Sequence, residues 1–133
     1  MTMTEGTPNE RFSYDAKSGA VTDTVRGATL KRYAFGPLDP DQVAFEYRDS
    51  KGALHLFGRW RKNDRTSEED AVEIRFKDVE LELRRYFGGR AVPENVRSLL
   101  IPLTDIIRAY LSMRAAALGG DRRDYDVIIT GIP

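Results

Sequence analysis

The sequence predicts an α+β fold: a curved, mostly antiparallel sheet or partial β-barrel of six to seven strands, covered by one long C-terminal helix and finished by a C-terminal strand. Three observations carry this reading. The stretch Pro102 to Leu118 (PLTDIIRAYLSMRAAAL) sets Leu103, Ile106, Ile107, Tyr110, Leu111 and Leu118 at helical spacing on one apolar stripe. Most of the chain before it alternates apolar and polar residues in short runs broken by Gly, Pro and Asp, the pattern of strands and turns. The strands precede the helix instead of alternating with it, which separates α+β from α/β.

Taken in order, residues 1–10 (MTMTEGTPNE) form a polar, Thr-rich segment expected to be a loose, flexible arm. Residues 11–133 contain no composition break, repeat or low-complexity tract and are expected to form a single α+β domain. Phe12 and Tyr14 share one face of a short strand, Asp15 to Gly19 supplies a turn, and Ala20 to Val25 returns until Gly27 breaks the run. Leu30 to Phe35 reads as a third strand. Gly36 to Asp41, with two prolines, reads as a loop.

Val43 to Arg61 reads as a long hairpin turning at Asp49-Ser50-Lys51-Gly52. Its alternation slips at Phe57-Gly58, which suggests a β-bulge there. A charged loop, Lys62 to Asp70, leads to a strand over Ala71 to Lys77. The next segment, Val79 to Phe87, carries two conflicting signals. Apolar residues at 79, 81 and 83 keep period two, which favours a strand. Asp78 before the run, Arg84 and Arg85 at its end and Gly88 beyond are helix boundary signals. The period-two pattern is taken as the stronger.

Pro93-Glu94-Asn95 opens a second helical start that continues through Val96, Leu99 and Leu100, so Pro102 implies a kink or a break before the main helix. Pro102 also suits a first helical position. Asp105 early and Arg114 late complement the helix dipole, and Gly119-Gly120 is the stop. Tyr125 to Ile132 is the final strand. Its consecutive Val127, Ile128 and Ile129 predict burial on both faces.

The bulk numbers exclude more than they identify. With 133 residues the chain is long enough to bury a core without disulfides or metal. Lys plus Arg and Asp plus Glu both number 21, so no global charge favours nucleic acid or a membrane surface. The absence of Cys removes thiol chemistry and thiolate metal sites, and a single His, His55, removes any two-His acid–base pair within one chain. No apolar run is long enough to span a membrane and the polar N-terminus lacks signal-peptide regions, so a soluble, cytoplasmic protein is expected.

Several constellations could carry function. Three aromatic pairs at i, i+2 (Phe12/Tyr14, Tyr33/Phe35 and Phe45/Tyr47) would form either an ordinary core face or a ligand pocket. Charge is segregated: a basic run at 59–65, an acidic run at 68–82 and a second basic run at 84–97, which adjacent strands could pair across the sheet. Arg59, Trp60, Arg61, Lys62 and Arg65 form the candidate partner-binding patch, with Lys31 and Arg32 as an addition. His55 sits opposite Leu54 and Leu56 and lacks an identifiable orienting partner, as expected for a hydrogen-bonded rim residue. Asp41 followed downstream by Glu73-Ile74-Arg75 only loosely echoes a carboxylate metal site.

The function expected from these features is that of a non-enzymatic protein-interaction module without a cofactor. Homodimerisation would use either the small flank of the main helix (Ala109, Ser112, Ala115, Ala116) or the edge of the C-terminal strand. The alternative is a nucleic-acid or anionic-ligand binder using the Arg/Trp patch. A metal-assisted carboxylate enzyme comes last.

Overall fold

A computed structural model describes residues 11–33, 39–65, 69–86, 96–119 and 125–132, with the backbone alone for 96–99. Seven strands form one sheet: β1 Phe12–Asp15, β2 Ala20–Asp23, β3 Ala28–Arg32, β4 Gln42–Asp49, β5 Gly52–Lys62, β6 Glu69–Arg75 and β7 Asp126–Thr130. Their spatial order follows the chain, so the sheet is open, with β1 and β7 at its edges. Every neighbouring pair is antiparallel except β6 and β7. A parallel pair needs a crossover, and two helices lie within it, α1 Phe76–Tyr86 and α2 Val96–Ala117. The α+β class and the mostly antiparallel sheet therefore hold, with two helices in place of one.

The hairpin turns follow a common rule. Asp15 accepts the amide of Lys17 at 2.9 Å, Asp23 accepts those of Val25 and Arg26 at 3.1 Å each, and Asp49 accepts that of Lys51 at 2.9 Å. Each Asp thus stabilises its turn through its own side chain. Gly19 and Gly27 then adopt φ of 71° and 70°, a region that other L-residues enter only with strain.

One sheet face carries the core. Val21, Leu30, Phe45, Leu54, Leu56, Val72 and Ile74 are buried there with Leu103, Ile106, Ile107 and Tyr110 of α2. Burying each Leu or Ile stabilises the fold by about 1.5–3 kcal/mol. Of the predicted aromatic pairs, Phe12, Phe45 and Tyr47 are buried in this core and Tyr14 packs at its margin. Tyr33 instead lies next to His55 on the opposite face, ring centroids 4.3 Å apart and stacked.

The strand expected over 79–87 is a helix. Phe76, Val79 and Leu83 are the buried positions of α1, whereas Leu81 is 58 % exposed. The period-two run was a coincidence of spacing; burial follows the i, i+3, i+7 set. The boundary signals were the informative ones. Arg75 pairs with Asp78 at 3.0 Å, and Arg84 and Arg85 occupy the last turn, where cations favour the dipole.

This change of state has a topological cause. β6 pairs only with Gly58–Lys62 of β5. Beyond that point α1 packs along the rest of β5, and the Glu82 carboxylate accepts the backbone N–H of His55 at 3.0 Å.

Four further expectations change. The bulge lies between Arg61 and Lys62, not at Phe57-Gly58. Gly58 is required for another reason: a Cβ there would sit 2.8 Å from Val72 Cγ1 and 3.0 Å from the Glu73 carbonyl oxygen. Of the kink or break expected at Pro102, the break does not occur: α2 is one element of 22 residues. The ring is buried, so its fit against the core offsets the missing N–H. The first returning strand stops at Asp23 instead of Val25, because the Asp23 carboxylate starts the turn. β7 is an edge strand with Ile128 exposed, so consecutive apolar residues here do not mean burial on both faces.

Several expectations fall outside the described residues. They concern the arm at 1–10, Phe35 and the loop at 36–38, the Gly88 stop, the helix opening at Pro93-Glu94-Asn95 and residues 120–124. Gly119 is described and ends α2 with φ of 86°.

Two outcomes test this account. Gly58→Ala is expected to destabilise the fold by about 1–3 kcal/mol in urea unfolding, since β5 and β6 must separate to admit the methyl group. The second concerns Asp23, which is buried at 1 % exposure and bonded by Arg11 at 3.0 Å. Burial alone would raise its pKa. The bonds from Arg11, Arg26 and Val25 outweigh that and hold the carboxyl below its usual range. Glu82 is held low in the same way, with burial opposed by Arg85 and the His55 amide. A lowered folded-state pKa contributes stability above the unfolded value of about 4, and that contribution is lost as pH falls through the lowered one. Asp23→Asn is expected to cost about 1–3 kcal/mol at neutral pH and to flatten the loss of stability on acidification, measured by urea melts across that range.

Candidate functional site

The predicted basic patch is divided by the pleat of β5. Successive residues alternate between faces, so Arg59 and Arg61 lie on the face away from the core and Trp60 lies on the core side, packed against Tyr125 with ring centroids 6.2 Å apart. The two arginines are ion-paired. Arg59 bonds to Asp41, and Arg61 Nη1 to Glu73 Oε2 at 3.1 Å. Asp41 and Glu73, considered above as metal ligands, thus each face a guanidinium. Among the described residues no three His, Asp or Glu side chains come together as a metal-ligating group. Lys62 and Arg65 are exposed, and Lys31 lies on the same face as Arg59, opposite Glu46 of β4.

His55 is half-buried. It stacks on Tyr33, and its Nδ1 lies 3.9 Å from Glu82. Its carboxylate neighbour is therefore on α1, an element the sequence pattern had read as a strand. Glu82 is already engaged by Arg85 at 2.8 Å. On the same face Glu46 is buried and pairs with Arg48 at 3.0 Å.

Two other places in the fold combine exposure with unused bonding capacity. The first is the outer edge of β7. Among the described residues no strand pairs with it, and beside it an open apolar groove of about 460 Å³ is lined by Leu100, Ile101, Thr104, Val127, Ile129 and Ile132. Ile101 is 60 % exposed and Ile128 and Ile132 are 38 % exposed, a concentration of apolar surface at one sheet edge.

The second is a cavity of about 190 Å³ between the C-terminal half of α2 and the core face of the sheet. Phe45, Trp60, Tyr110 and Tyr125 contribute aromatic walls, and Arg32 and Arg114 contribute guanidinium groups. Tyr110 is almost fully buried, stands edge-on to Phe45 at 5.7 Å, and its hydroxyl accepts a long bond of 3.5 Å from Arg114. Burial raises the Tyr110 pKa, and the charges of Arg114 and Arg32 oppose that rise.

The sequence reading placed Trp60 and Arg32 among its candidates but missed Tyr110, Arg114 and Tyr125. Two sequence signals point to part of this cavity. Trp60 shares the parity of Leu54 and Leu56, and Arg32 that of Leu30, so both point to the core side. Arg114 follows Tyr110 by four residues on α2, one helical turn along the same face. The strand edge was considered, but its groove depends on Leu100 and Ile101, which lie far from β7 in sequence. The small-residue flank of α2 does not form one surface: Ser112 is buried, Ala109 packs against the core and Ala116 is exposed.

Comparison of the chain with protein-family models, with curated proteins and with solved structures gave no match. No described helix is long and apolar enough to cross a membrane. The fold and its surfaces thus define the class alone: an α+β domain with an open seven-stranded sheet.

Trp60 is the only tryptophan, and Tyr125 covers one side of it. Tyr125→Ala is expected to move Trp60 fluorescence to longer wavelength by admitting water, with little change in far-UV circular dichroism.

Proposed function

We propose that this domain is a protein-interaction module and that its first partner is a second copy of itself, joined through β7. The observation that carries the proposal is the outer edge of β7, which pairs with no strand among the described residues and lies beside the apolar groove of Leu100, Ile101, Val127 and Ile129. An exposed strand edge presents a row of backbone donors and acceptors, and another strand is the partner that matches their spacing.

The composition of β7 supports self-pairing. In an antiparallel twofold pair centred on Ile128, Ile128 meets its own copy, Val127 meets Ile129 and Asp126 meets Thr130. No like charges oppose one another. The alternating side chains Val127 and Ile129 project to the groove side, so the two grooves would run together across the dyad. Gly131, at φ of 75°, turns the chain out of the strand and limits the added ladder to a short one.

The basic patch contributes less to this reading. Arg59 and Arg61 are already paired with carboxylates, which leaves Lys62 and Arg65 as the exposed cations beside them. Nucleic-acid binding through that patch loses its main support, because a phosphate would have to displace two intramolecular ion pairs.

Light scattering coupled to size-exclusion chromatography tests the proposal. The expected result is a particle of twice the chain mass of 15.1 kDa. Ile128→Lys places two ammonium groups opposite each other at the dyad, where like charges are destabilising, and is expected to yield a folded monomer. A wild-type chain that stays monomeric at micromolar concentration, or a dimer untouched by Ile128→Lys, would overturn it.

A further inference from the structure

We propose that the cavity beneath the C-terminal half of α2 is a binding site for a small aromatic carboxylate. The cavity is formed within one chain, so the inference stands apart from the pairing of β7. Its chemistry has two halves. Phe45, Trp60, Tyr110 and Tyr125 supply ring faces and edges suited to a planar apolar body. Arg32 and Arg114 supply planar donors suited to a carboxylate.

Charge and size narrow the ligand. Two guanidiniums face one carboxylate, Glu69, around the cavity, and the remaining single positive charge matches a monoanion. Among the described residues neither Arg32 nor Arg114 forms an ion pair, in contrast to Arg11, Arg48, Arg59, Arg61, Arg75, Arg84, Arg85 and Arg108, which all do. A chain that pairs most of its described arginines leaves these two facing the same aromatic cavity. The volume of about 190 Å³ is below that of sites for drug-sized ligands, which suits one ring with one acidic group. The buried Tyr110 hydroxyl accepts the long bond from Arg114 and so ties that side chain to the cavity wall.

Trp60 makes the test direct, because the chain's only tryptophan lines the cavity. The full chain is titrated with sodium benzoate at constant ionic strength and Trp60 fluorescence is followed. A saturable change at millimolar benzoate or below is expected. Benzyl alcohol, with the ring but no charge, and acetate, with the charge but no ring, are expected to bind more weakly by roughly tenfold or more. Arg114→Gln and Arg32→Gln are each expected to weaken benzoate by roughly tenfold while leaving the circular dichroism unchanged. Arg32 is exposed, so its variant decides the matter if Arg114→Gln fails to fold. The proposal is overturned by the absence of any saturable change, by equal responses to benzoate and benzyl alcohol or acetate, or by unchanged benzoate affinity in Arg32→Gln.

Discussion

The structure depends on the packing of α2 across the core face of the sheet. The sheet is linear in order, so β1 and β7 share no hydrogen bonds and nothing within the sheet holds its ends in register. α2 touches β1, β2 and β3 at one end and β7 at the other. Its stripe of Leu103, Ile106, Ile107, Tyr110 and Leu111 is buried in one core with residues from six strands. A polar tie supplements this apolar contact. Arg11 bonds Asp23 at 3.0 Å and lies 3.7 Å from Asp105 of α2, which links the first turn of the sheet to the helix. Most of the energy comes from apolar burial, because an ion pair as exposed as Arg11 with Asp105 contributes only about 0–1 kcal/mol.

The flank of β5 and the edge of β7 are finished differently. β5 is longer than the strand that pairs with its second half. The chain resolves the mismatch by turning β6 into α1, whose Glu82 accepts an amide of β5 in place of a strand carbonyl. No comparable cover is described for β7. Among the described residues its outer edge pairs with no strand, and exposed isoleucines lie at it. A buried edge is satisfied internally; an open edge invites a partner.

Charge in this protein is largely spent on local pairing. The segregation of basic and acidic runs along the chain becomes, in the sheet, the pairing of Arg61 with Glu73 across adjacent strands. Within α1 it becomes the helical pairs of Arg84 with Glu80 and Arg85 with Glu82. A cluster of arginines in sequence is therefore a poor guide to a cationic surface here. The informative arginines are Arg32 and Arg114, which are separated in sequence and line one aromatic cavity.

Local signals in the sequence determined much of this protein: the hairpin turns marked by Asp and Gly, the strands between them, the helix through Ile107 and Tyr110, and the absence of thiol or two-His chemistry. These features rest on dihedral preference and side-chain spacing within a few residues, so they are present in the linear chain. Tertiary structure alone decided the state of 76–86. There the period-two residues Val79, Leu81 and Leu83 competed with helical end signals, and the unpaired half of β5 called for a helix beside it. It also decided that Trp60 packs against Tyr125 on the opposite face from Arg59 and Arg61, and that Ile101 joins β7 in one groove. Such juxtapositions depend on which elements meet across the core, and sequence spacing carries no record of distances between segments tens of residues apart.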